Sequence, residues 1–284
     1  MIRQFYLAFI SILLISCNKD VVNKGVTGWN DELILDKRYD SVCFLMTHNA
    51  FNCPPHHEFP NQDTVLTQQM RDGVRGLMID VYDGSGGPVV YHATPILGSE
   101  PLRNNLQEIR NFLDSHPHAI ISIIFENHCT NTALQDAIIS LGLDTLAYIH
   151  DGSWPTIQQM IDSHQRLVMF VENSFPAQPR EPWLHHAWSI VFDTPYTYHS
   201  TDEFSSDINR GGSGTKELYL VNHWLSNGLG LPDKSLAPEA NRHDILSKRL
   251  RDCQTAQNHF INYLGVDFYD IGSCRMLADS INGF

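Results

Sequence analysis

The sequence predicts an α/β fold, a distorted (β/α)8 barrel of TIM type in a single domain. Three observations predict it. Short apolar runs alternate with helix-like stretches along the chain. Several runs, such as AIISIIF at 119–125 and RLVMFV at 166–171, are apolar almost without a break, as strands of a helix-covered parallel sheet are. Polar residues then recur where these runs end. The 284 residues suit one barrel of roughly 250 residues. An open doubly wound sheet would carry a Gly-rich phosphate loop after an early strand, and none is present.

The predicted strands are Ser41–Thr47, Arg75–Tyr82, Pro88–His92, Ala119–Glu126, Arg166–Glu172, Trp188–Asp193, Glu217–His223 and Tyr263–Tyr269. Helical patterns fall at Thr64–Gly73, Leu102–Ser115, Thr132–Leu141, Thr156–Ser163 and Asn241–Phe260. In the second of these, Leu102, Leu106, Ile109 and Leu113 recur at the spacing of one helix face. The stretches Asp83–Gly87 and Thr194–Thr215 are irregular connections.

With 42% hydrophobic residues the chain can fill a core, which argues against disorder. A formal net charge of −13 argues against a nucleic-acid partner and against loose adhesion to anionic lipid.

Residues 1–16 read as a signal peptide. Arg3 gives a basic start, and Phe5 to Ser16 is a mostly apolar run too short to span a bilayer. It ends Leu14-Ile15-Ser16-Cys17, which resembles a bacterial lipobox with Cys17 as the lipidated residue. Residues 17–30 then form a polar tether and 31–284 the barrel. This places the protein in the bacterial cell envelope, periplasmic or surface-exposed, held to a membrane by acyl chains. Cys43, Cys53, Cys129, Cys253 and Cys274 remain, an odd number. Cys43 with Cys53, or Cys253 with Cys274, are the alternatives for a bridge.

The strand ends carry the functional signal. His48 and Asn49 follow the first strand, Asp80 lies on the second, and His92 ends the third. Glu126, Asn127 and His128 end the fourth, Glu172 and Asn173 the fifth, and Asp193 the sixth. Asn222 and His223 end the seventh, and Asp267 and Asp270 the eighth. In a barrel these ends meet at one mouth. His48 and His92 suit acid–base work near neutral pH. Asn49, Asp80 and Glu126 offer oxygens for a hard cation such as Ca2+, or a metal-free hydrogen-bond network.

At these residues the sequence resembles the catalytic X region of phosphatidylinositol-specific phospholipase C. The matching pieces are MTHNAF at 46–51, DGVRGLMIDVYDG at 72–84, VVYH at 89–92 and IIFENHC at 123–129. VDFYD at 266–270 looks like the family's last strand. The resemblance implies a barrel enzyme that releases diacylglycerol by attack of the inositol 2-hydroxyl on phosphorus, forming inositol 1,2-cyclic phosphate. It implies His48 as base or transition-state donor and His92 as general acid, with Asp267 as a candidate to orient His48. Tyr269 is a candidate to stack on the inositol ring or to fill the core.

Asn49, Asp80 and Glu126 match the calcium-type members, which implies Ca2+ at the phosphate. Met78 stands where calcium enzymes of eukaryotic type have a Glu, which removes one ligand and one candidate base. The fifth strand lacks the lysines that meet ring phosphates, and Glu172 would repel them. The expected substrate is phosphatidylinositol or a GPI-type glycolipid. The alternatives are another barrel phosphodiesterase, of glycerophosphodiester or sphingomyelin type, and a non-catalytic lipid-anchored headgroup-binding protein.

Overall fold

A computed structural model describes residues 30–172, 181–212 and 215–284. The predicted signal peptide, Cys17 and all but the last residue of the tether lie outside the described residues, as does Asn173.

Eight parallel strands form one curled sheet: β1 (Phe44–Thr47), β2 (Gly76–Tyr82), β5 (Ile121–Asn127), β6 (Leu167–Val171), β7 (Leu184–His186), β8 (Val191–Asp193), β9 (Leu218–His223) and β10 (Tyr263–Val266). Their order is β7-β6-β5-β2-β1-β10-β9-β8. This is the expected distorted barrel, with one seam. Among the described residues β7 pairs only with β6 and β8 only with β9. The short helix α5 (Ala187–Ile190) joins the two.

The helices are α1 (Leu66–Arg71), α2 (Leu102–Ser115), α3 (Asn131–Ile139), α4 (Ile157–Asp162), α6 (Ala237–Ala240), α7 (His243–Gln257) and α8 (Cys274–Ile281).

Three element assignments need correction. Pro88–His92 is not a barrel strand. Its core, β3 (Val89–Val90), pairs antiparallel with β2 and with β4 (Glu100–Pro101), an excursion above the barrel. The barrel strand that replaces it in the count is β7, too short to show an apolar run. Trp188–Asp193 divides into α5 and β8, and the long helix at 241–260 is broken between α6 and α7.

Side chains alternate strictly across the sheet. On β2, Leu77, Ile79 and Val81 pack outward against the helices, while Met78 and Asp80 face the barrel axis. On β5, Ile121, Ile123 and Phe125 point outward, and Ile124 and Glu126 inward. On β6, Val168, Phe170 and Glu172 point inward. Each inward row is therefore apolar at depth and ends in a polar side chain at the mouth. Burial of the apolar rows, at about 1.5–3 kcal/mol for each large side chain, fixes the register, because a one-residue slip would reverse every row.

The opposite end is plugged. Tyr39 stacks on Trp154 with ring centroids 4.5 Å apart, and its hydroxyl meets Ser122 at 2.6 Å and the Tyr263 hydroxyl. Gly76 starts β2 where Met46 presses in; a Cβ there would lie 2.7 Å from the Met46 side chain. All five later cysteines are buried and unbridged, so neither candidate disulfide is formed.

Candidate active site

His48 follows β1, its backbone N–H donating to Val266 O at 3.0 Å. Its ring is held on three sides. Nδ1 meets Asp267 Oδ1 at 2.9 Å. The Trp224 ring stacks on it, centroids 3.9 Å apart and 9° from parallel. Asn61 Nδ2 donates to both Asp267 oxygens at 3.0 Å, which aims that carboxylate. With a carboxylate at Nδ1, the proton of a neutral imidazole sits on Nδ1, and Nε2 is left as the base.

Asn49 adopts a left-handed backbone, φ 44°, a conformation Asn tolerates better than most residues. This turns its amide back between His48 and Asp80. With its nitrogen toward Asp80, it donates to Oδ1 at 3.1 Å and Oδ2 at 3.3 Å, and its oxygen, 3.2 Å from His48 Nε2, accepts from that nitrogen once the ring has taken up its second proton. The opposite orientation needs a positive centre or a proton at Asp80, and it lets the amide nitrogen donate to Nε2 instead.

Asp80 and Glu126 are register partners on β2 and β5, which sets their backbones about 4.8 Å apart. Burial, then the charges of Glu126 and Glu172, push the Asp80 carboxyl well above the usual range. Among the described residues no Lys or Arg pairs with Asp80 or Glu126; Glu126 Oε1 instead accepts from His128 Nε2 at 2.9 Å. Asp80 and Glu126 thus come together as carboxylates short of positive charge, which fits a hard cation; Asn49 would add its oxygen only with the amide turned the other way.

His92 lies two residues beyond β3, on the loop that leaves the hairpin. Burial, then the neighbouring His48, push its imidazole down to about 4. It is therefore neutral at pH 7 while the site holds no anion.

His48, Met78, Asp80, Glu126, Glu172 and Arg210 line one cavity open to solvent, with Tyr196 and Trp224 at its side; Asn49 and His92 stand near these groups but are not among its lining residues. Sequence reasoning missed Arg210, which lies in the irregular 194–215 stretch. It donates to Glu172 Oε2 at 2.7 Å and to Asp193 Oδ2 from Nε at 2.9 Å. Its guanidinium lies 4.1 Å from the Trp188 ring centroid and 4.7 Å from that of Tyr196. Glu172, expected to repel ring phosphates, is thus partnered by a cation. Burial still outweighs Arg210 and pushes Glu172 up to about 7. No periodicity marks Arg210, whereas Trp224, directly after the end of β9, was open to the strand-end rule.

Tyr269 lies away from this cavity. It is buried in the outer core, its hydroxyl donating to Asp72 Oδ2 at 2.6 Å and lying 3.1 Å from Thr64 Oγ1.

The fold and the mouth define a barrel with paired histidines and converging carboxylates, the class to which phosphodiester-cleaving barrels belong. The model of the PI-PLC X domain family (PI-PLC X 1) matches residues 34–282, and the chain belongs to that family. It is 26% identical to PI-PLC X domain-containing protein 1 of Arthroderma benhamiae, over 98% of this chain and 94% of that protein. It is also 26% identical to a PI-PLC X domain-containing protein of Arabidopsis thaliana, over 94% of this chain and 67% of that one. The fold is similar to that of the phosphatidylinositol-specific phospholipase C of Listeria monocytogenes, with a TM-score of 0.62 at 15% identity over 90% of this chain and 97% of that one. The Staphylococcus aureus phosphatidylinositol-specific phospholipase C, as its F249X mutant, gives 0.59 at 13% identity over 90% and 96%.

Proposed function

We propose that the protein is a phosphodiesterase that cleaves phosphatidylinositol, or a GPI-type glycolipid, to diacylglycerol and inositol 1,2-cyclic phosphate. The observation that carries this reading is the His48–Asp267 pair, locked by Trp224 and Asn61 at the edge of a cavity that also holds Asp80 and Glu126. His48 Nε2 takes the proton of the inositol 2-hydroxyl as that oxygen bonds to phosphorus. The bond from phosphorus to the glycerol oxygen breaks, and His92 gives that oxygen a proton. His92 gains its proton only when the anionic phosphodiester sits beside it, because the empty site holds it neutral.

Asn49, Asp80 and Glu126 would hold Ca2+. The ion would supply positive charge at the phosphate. Glu172 and Arg210 line the side of the cavity and offer acceptors and donors to ring hydroxyls.

Four exposed apolar side chains sit on loops at the mouth end: Phe59, Ile96, Tyr196 and Leu229. The loops are braced, with Glu58 N donating to Leu97 O at 2.7 Å and Lys234 paired to Asp63 at 2.7 Å. This rim suits contact with a lipid surface. The envelope lipoprotein location, with Cys17 acylated, fits a substrate in that surface. A 22% identical relative from Arthroderma benhamiae bears the name "Uncharacterized secreted protein". No helix among the described residues is long and apolar enough to cross a membrane.

Diacylglycerol release from phosphatidylinositol micelles tests the reading. The chain should release it, and His48→Ala should lower the rate at least about 10²-fold. Release unchanged in His48→Ala would overturn the assignment.

A further inference from the structure

A second polar groove lies on the outer wall of the barrel, between the 201–206 segment and α7. It is open to solvent and is lined by Thr201, Asp202, Ser206, Lys248, Arg249 and Asp252. Ile245, Lys248, Arg249 and Asp252 form one stripe of α7 facing it.

Arg249 is the unusual member. It is 4% exposed, and no carboxylate pairs with it among the described residues. Nη2 donates to the Tyr198 hydroxyl at 3.2 Å, but Nε and Nη1 have no hydrogen-bond partner. The guanidinium lies under the Phe204 ring, which also lines the groove, at 5.4 Å. An arginine keeps its proton at any accessible pH, so this is a buried positive charge with spare N–H donors. Leaving such donors unmade costs about 1–3 kcal/mol each, more for a charged group.

Around Arg249 the groove offers the hydroxyls of Thr201 and Ser206 as well as the carboxylates of Asp202 and Asp252. The Tyr219 hydroxyl lies beside Arg249 and Cys253, and burial holds it as a neutral O–H. The Ser206 hydroxyl points at Cys253 Sγ, 3.5 Å away. The two acids at the edge do not reach Arg249, and Asp252 is taken by Lys248 at 2.5 Å.

We propose that this groove binds a phosphate-type oxyanion, free or carried on a lipid headgroup, with Arg249 at its floor and Lys248 at its edge. Compact anionic oxygens supply the acceptors that Nε and Nη1 of Arg249 lack. The site lies on the outer wall of the barrel and shares no lining residue with the catalytic cavity.

The test follows the arginine Nε–H resonances of the full 15N-labelled chain during titration with inorganic phosphate, with chloride at matched ionic strength as control. The Arg249 resonance should shift saturably with phosphate and not with chloride. Arg249→Gln should weaken binding about tenfold or more. Lys248→Ala, an exposed change that leaves the fold intact, should weaken it about two- to fivefold. A parallel arm uses phosphatidylcholine vesicles with and without phosphatidic acid. Binding that needs Arg249 only on the phosphatidic acid vesicles assigns the lipid-borne phosphate; a response to free phosphate assigns the soluble one. An equal response to chloride, or none in either arm, overturns the proposal. A shift confined to Arg210 places the anion in the catalytic cavity and also overturns it.

Discussion

At the scale of single residues, the division of labour between the two histidines is the sharpest consequence. His48 is fixed by Asp267, Asn61 and Trp224, so its part is to accept a proton along a set direction. His92 is held neutral near 4 by burial, so its part depends on the substrate's charge. A general acid matters less when the leaving group needs no proton. His92→Ala should therefore lose about 10²–10⁴-fold with phosphatidylinositol, and far less with a p-nitrophenyl inositol phosphate. Equal losses on both substrates would show that His92 does not protonate the leaving oxygen. Asp267→Asn, which presents an amide to Nδ1, should lower kcat with little change in KM. A rise in KM alone would show that Asp267 serves binding rather than the tautomer.

At the scale of elements, α2 and the inward-facing strand rows hold the site in place. Leu106 on α2 is fully buried against the outer sheet face. Leu106→Ala should cost about 2–5 kcal/mol, read from urea unfolding, and leave kcat of the folded fraction unchanged. A fall in kcat at full folding would mean that α2 positions the mouth directly.

The same scale explains what was legible in the sequence. Long apolar runs on β2, β5, β6 and β9 gave strands, and the period of two carried Asp80, Glu126 and Glu172 inward together. Three-residue β7 and β8 bury too little to leave a pattern, so the seam between them was not legible. Neither was the role of Arg210, which reaches Glu172 and Asp193 from a loop 17 residues beyond Asp193. The amide turn at Asn49 depends on one left-handed residue, which composition does not reveal. Tyr269 was misleading for a related reason: one residue beyond Phe268, whose φ is 48°, alternation no longer tells inside from outside.

For the whole molecule, acid sensitivity follows from buried neutral histidines. His92 and His223 are lowered from 6.5 to about 4, mainly by burial. The unfolded chain then binds more protons between these values. Their contribution is complete above pH 6.5 and lost as pH falls toward 4, on the order of a few kcal/mol. Glu172, raised from 4.5 to about 7, acts in the opposite sense: its contribution is complete below 4.5 and lost as pH rises through 7. Asp80 and Asp270 are raised as well and act with Glu172, so the histidine part is read by comparison: His92→Ala should lose less melting temperature between pH 6.5 and 4 than the parent chain does. Equal slopes in the two proteins would contradict it.

The most direct measurement of the central claim is 31P NMR of phosphatidylinositol micelles with the chain, in Ca2+ and in EGTA. The account predicts the resonance of inositol 1,2-cyclic phosphate in Ca2+, and its loss or strong slowing in EGTA as Asn49, Asp80 and Glu126 lose their ion. No inositol phosphate under either condition would contradict phosphatidylinositol cleavage, and equal rates in both would contradict the calcium site.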